Sequence, residues 1–101
     1  MDAPLAYQVS YSGRVRDALR DLVLRALEVG LGAEILAAVR EIDTRLHIYP
    51  QFGQPLRDLS VESAQLWIGV VAPVVVQYVL VESRRQVMVV QPLRPVSGYG
   101  L

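Results

Sequence analysis

Ten arginines, with no lysine, carry the positive charge of this 101-residue chain and ten acidic residues balance them; a single histidine completes the set. Arginine suits planar, bidentate contact with phosphate or carboxylate, and its charge persists at every working pH. Arg84 and Arg85, beside Glu82, offer an anion-binding edge together with Arg94; the expectation is nevertheless a set of solvated turn charges, the usual environment of arginine. His47 is of a residue type that serves in general acid–base work, yet it falls four residues after Asp43 on the polar side of a helical pattern, as a surface histidine would. With no cysteine there is no thiol nucleophile and no disulfide, in keeping with a reducing compartment. No Ser-His-Asp set, carboxylate pair or metal-ligand spacing is present, so neither hydrolase nor metalloenzyme chemistry is indicated, and no metal or cofactor is expected. Gly98 and Gly100 around Tyr99 lack the flanking strand and helix that a phosphate-binding loop needs.

Alternation in Leu5, Tyr7, Val9 and Tyr11 predicts a first strand. Ser12 is placed to cap a helix from Gly13 to Val29, whose apolar stripe is Val15, Ala18, Leu19, Leu22, Ala26 and Val29. Arg14, Arg16, Arg20 and Arg25 on it are interleaved with Asp17, Asp21 and Glu28, an ion-paired surface. Gly30 and Gly32 are expected to take positive φ and turn the chain into a second helix, striped by Ile35, Ala38, Val39, Ile42 and Leu46 and ended by Pro50. The segment 49–60 holds Pro50, Gly53 and Pro55 and reads as an irregular but packed connection through Phe52, Leu56 and Leu59. Three strands follow, at 63–71, 74–81 and 86–91, joined as a meander, and 92–101 reads as an irregular tail.

The whole, 1–101, reads as a single domain. Hydrophobic residues make up 52% of it, and the last strands are apolar on both faces. A helical hairpin covers only one face, so the other is expected to meet a partner chain or the tail. Trp67 is expected in the core or an interface. Gln65, Gln77 and Glu82 interrupt the longest apolar stretch, which argues against a membrane span. Asp2 stands where a secretory signal has basic residues, so the expectation is a cytoplasmic protein.

The order of strand, helical hairpin, proline-rich connection, meander and tail resembles the RelE/ParE toxin superfamily, the plasmid-stabilisation-like toxins of type II toxin–antitoxin systems. The segment Tyr7-Gln8-Val9-Ser10-Tyr11-Ser12, the connection Pro50, Gly53, Pro55-Leu56 and Leu59, and the pair Gln77-Tyr78 carry the likeness, over about Tyr7 to Tyr99. It implies an α+β fold of the order β-α-α-β-β-β. In the family's ribosome-dependent ribonucleases, basic side chains on the concave sheet face hold the cleaved phosphate and a late tyrosine or histidine moves a proton. The likeness maps these roles onto Arg94 and Tyr99, with Arg57 as a third member, and puts Gln77 where active enzymes usually carry an arginine. Gln77 and the missing lysines remove charge where transition-state stabilisation calls for it. The family's other branch poisons DNA gyrase without that set. The partners implied are an antitoxin protein and either ribosome-bound RNA or DNA gyrase, with a homodimer also open; a non-catalytic protein-binding module that keeps the toxin fold is the alternative.

Overall fold

The computed structural model describes residues 6–61 and 63–101. Its elements are β1 (Gln8–Tyr11), α1 (Gly13–Glu28), α2 (Gly32–Ile48), β2 (Gln54–Asp58), β3 (Gln65–Val71), β4 (Val74–Val81), β5 (Gln86–Val89) and the two-residue β6 (Arg94–Pro95), with 3-10 turns at Pro50–Phe52 and Glu82–Arg84. This is an α+β chain with one strand, two helices and then several strands.

The Ser12 hydroxyl accepts a hydrogen bond from the Val15 N–H at 3.2 Å, satisfying one of the free donors of the first turn of α1. Ser12→Ala is expected to lower stability by about 1 kcal/mol; urea titration should show an earlier midpoint at unchanged slope. The two glycines of the hairpin do different work. Gly30 takes φ +76°, as expected, whereas Gly32 is the buried first residue of α2, where an added Cβ would overlap the Leu27 side chain. Positive φ at Gly32 is therefore corrected to close helix–helix approach.

The sheet order is β1-β5-β4-β3-β2, and β6 pairs with the start of β4. The expected meander β3-β4-β5 is present and antiparallel, while β1 joins its far side parallel to β5. Two expectations are corrected. Part of the supposedly irregular connection is the strand β2, antiparallel to β3, so the meander has four strands instead of three. Pro55 is tolerated there because β2 is an edge strand, with a register shift between Pro55 and Arg57. The tail is not irregular throughout, since Val75 pairs with Arg94 and Val74 with Pro95, and β5 stops at Val89 to free the chain for that return. Leu5 lies outside the described residues.

One face of the sheet meets the helices. Val74, Val76, Tyr78 and Leu80 of β4 and Val87 and Val89 of β5 are buried there with Val15, Leu22, Ile35, Ile42 and Leu46. Tyr78 is central: its hydroxyl donates to the Pro50 carbonyl at 2.5 Å, and its ring stacks between Phe52 and Trp67 at centroid distances of 6.0 and 6.4 Å. Trp67 is a core residue on this face.

Candidate functional site

Strand alternation sends the intervening side chains to the opposite face, which no helix among the described residues covers. The registers place them in rows. Ser10, Met88, Val79, Leu66 and Arg57 lie abreast from β1 to β2. Gln77, Ile68 and Gln54 form a second row, and Arg94, Val75 and Val70 a third. Leu66, Ile68, Val75, Val79 and Met88 are half-buried, and Val70 is 53% exposed. The result is an aliphatic floor with an arginine on either side.

Arg94 and Arg57 are exposed and stand three strand spacings apart across the sheet and four residues apart along it, about 20 Å in all. No carboxylate is among the described strand residues on this face: Asp58 pairs with Gln65, whose neighbour across the next strand is buried Leu80, and accepts a hydrogen bond from the Gln65 amide at 2.9 Å. A chain of zero formal charge thus presents one strand surface that is locally positive.

Of the four residues singled out from sequence, the structure brings two together. Gln77 and Arg94 line one groove of about 250 Å³ with Val75, Gln91 and Pro92. A guanidinium and an amide there suit a phosphate or carboxylate oxygen. Arg57 lies across the floor at the β2 edge. Tyr99 is on the other side of the sheet: it packs against the core and lines a cleft of about 500 Å³ with Glu34, Ala37, Ala38 and the 71–73 turn. The groove therefore lacks the Tyr99 phenol beside it to donate or accept a proton.

The remaining candidates fall elsewhere. Arg84 and Arg85 follow the far end of β4 from Arg94, six residues along the strand from Val75, or about 20 Å. The three do not form a common anion-binding edge. Arg85 instead sits 4.4 Å above the Tyr7 ring, a cation–π contact. His47 lies on α2, its Nδ1 2.8 Å from the Asp43 carbonyl and 3.6 Å from the Asp43 carboxylate.

Sequence reasoning missed a groove of about 540 Å³ between α1 and α2, floored by Tyr11, Leu19 and Val39 and flanked by Arg16, Arg40 and Asp43. The Tyr11 hydroxyl donates to Asp43 Oδ1 at 2.5 Å across 32 residues of sequence. Burial, then the hydrogen bond and the charge of Asp43, push the phenol's pKa well above the ordinary tyrosine range, so it stays protonated. Two residues so far apart carry no local signal of their pairing.

Among the described residues no helix is long and apolar enough to cross a membrane, and no group of three histidine, cysteine or acidic side chains is placed to hold a metal. Comparison with protein-family models, curated proteins and solved structures gives no match for this chain.

Proposed function

We propose that this chain is a toxin-like protein of the RelE/ParE kind, the toxic member of a bacterial toxin–antitoxin pair, and that it acts by gripping a protein target with the open sheet face. The composition of that face carries the reading: Leu66, Ile68, Val70, Val75, Val79 and Met88 make an aliphatic floor, with Arg57 and Arg94 beside it. Aliphatic surface is stabilised by burial against another protein. Single-stranded RNA sites instead use aromatic rings to stack bases, and here Trp67 and Tyr78 face the helices. The separation of Tyr99 from Arg94 points the same way, because general acid–base cleavage of a phosphodiester needs both at one phosphate. A gyrase-like target and a small antitoxin that competes for the same surface complete the proposal. RNA cleavage is the second reading, favoured by the groove that Gln77 and Arg94 share.

The test is growth of a bacterial host on induction of the wild type, Arg94→Ala or Val79→Glu at matched expression. Val79→Glu puts an unpaired carboxylate in the middle of the floor, where its desolvation opposes docking. Arrest by the wild type and by Arg94→Ala, with intact messenger RNA and relief by Val79→Glu, is the expected result. Messenger RNA fragments that disappear with Arg94→Ala would move the assignment to the nuclease. Normal growth in all three cultures, with folded protein, would favour a binding module outside any toxin role.

A further inference from the structure

Among the described residues β1 is paired on one side only. Its Gln8 N–H donates to the Arg85 carbonyl at 2.9 Å, and the Ser12 N–H just beyond it donates to the Val89 carbonyl at 3.5 Å. Strand alternation turns the backbone groups of the odd-numbered residues the other way, and Tyr7 displays this, its N–H donating to the His47 carbonyl at the end of α2 at 2.8 Å. Past that contact, the Val9 and Tyr11 N–H groups have no backbone partner among the described residues. The opposite edge of the sheet is guarded. There β2 carries Pro55, which lacks an N–H, a register shift, and the charged pair Arg57 and Asp58. β1, with the sequence Gln-Val-Ser-Tyr, has no such device.

Tyr11 belongs both to this free edge and to the groove between α1 and α2. Leu19 and Val39 give that groove an apolar lining, and the exposed Arg16 and Arg40 flank it. Its one carboxylate, Asp43, is already engaged by the Tyr11 hydroxyl and lies 3.6 Å from His47. The balance of charge favours an anionic side chain.

We propose that the β1 edge and this groove form a docking site for an extended segment of a partner protein carrying an apolar and an acidic residue two positions apart. The segment adds to the sheet beside β1, with its main chain bonding to Val9 and Tyr11. The two-residue period of a strand then puts both chosen side chains on the helix side, the apolar one against Leu19 and Val39 and the acidic one at Arg16 and Arg40. This surface is separate from the open sheet face, and its test does not depend on toxicity.

The probe is a capped heptapeptide, Thr-Val-Thr-Glu-Thr-Val-Thr, titrated into the isotope-labelled full chain and read by amide hydrogen exchange. Without peptide, the Val9 and Tyr11 amides should exchange fast while Gln8 and Ser10 are protected. With peptide, Val9 and Tyr11 should slow by about tenfold or more, the equivalent of one firmly made backbone bond each. The same peptide with lysine in place of glutamate should not bind. Arg16→Glu combined with Arg40→Glu, both exposed positions, should weaken the glutamate peptide about tenfold and rescue the lysine peptide. No change at millimolar peptide, equal binding of both peptides, or binding that leaves Val9 and Tyr11 unprotected would each overturn the proposal. So would protection of these amides that rises with protein concentration alone, which would give the edge to a second copy of the chain.

Discussion

Tyr78→Ala is expected to lower stability by about 3–5 kcal/mol, the range for removing a large buried aromatic, and to leave much of the population unfolded at the upper end of growth temperatures. The side chain is fully buried, stacks on Phe52 and Trp67, and its hydroxyl holds the Pro50 carbonyl. It therefore joins β4 to β3 and to the turn that ends α2. Tyr78→Phe separates packing from hydrogen bonding: the ring stays and the carbonyl loses its donor, at about 1–3 kcal/mol. Urea unfolding of the three proteins should rank them wild type, phenylalanine, alanine; a phenylalanine variant as stable as wild type would mean that the Pro50 bond contributes nothing.

The same residue makes a pH prediction. Burial pushes the Tyr78 phenol well above its ordinary value of 10.0, with a backbone hydrogen bond at Gly53 opposing it. A group whose pKa is raised on folding stabilises the fold below the unfolded value and loses that contribution as pH climbs. Tyr11 is shifted in the same direction. Stability should hold up to about pH 10 and fall above it, and Tyr78→Phe should reduce the slope of that fall.

Gly53→Ala is expected to have the second-largest effect, a loss of about 1–3 kcal/mol or more from overpacking. A Cβ at this position would overlap the Ile68 carbonyl oxygen and lie 2.8 Å from the Tyr78 hydroxyl. Flexible side chains often yield to an extra methyl. Here the obstacle is backbone, held where Gln54 of β2 pairs with Ile68 of β3. Relief would have to come from moving β2 off β3, and with it Arg57 at the rim of the open face. Gly13→Ala is the control: nothing lies within 4 Å of an added Cβ, and the change should stay within about 1 kcal/mol of wild type. Thermal unfolding of both variants gives the comparison, and equal midpoints would show that β2 shifts at no cost.

Much of this architecture was written in local patterns. The capping hydroxyl of Ser12 and the stripe through Val15, Leu22 and Ala26 marked α1, because a helix buries one face of its own sequence neighbours. The valine-rich run marked β4 at Val74–Val81, since a strand covered by helices on one side and apolar on the other has little need of polar residues. β2 was hidden because Pro55 and Gly53 read as chain breakers; that Pro55 falls on an edge strand, where its missing N–H goes unneeded, depends on where the neighbouring strands settle.

The candidate site divides along the same line. That Arg57, Gln77, Arg94 and Tyr99 carry useful chemistry was legible from their types and the order of elements around them. Which of them meet was decided by two long-range events: the pairing of Arg94 with Val75, which sets it beside Gln77, and the path of the tail beyond Pro95, which carries Tyr99 over to the helix side. The contact of Tyr11 with Asp43 and the parallel docking of β1 on β5 are of the same kind. Sequence determines which side chains a strand or helix turns to each face, because that period is local; only the tertiary structure decides which faces come together, because that depends on packing between residues far apart in the chain.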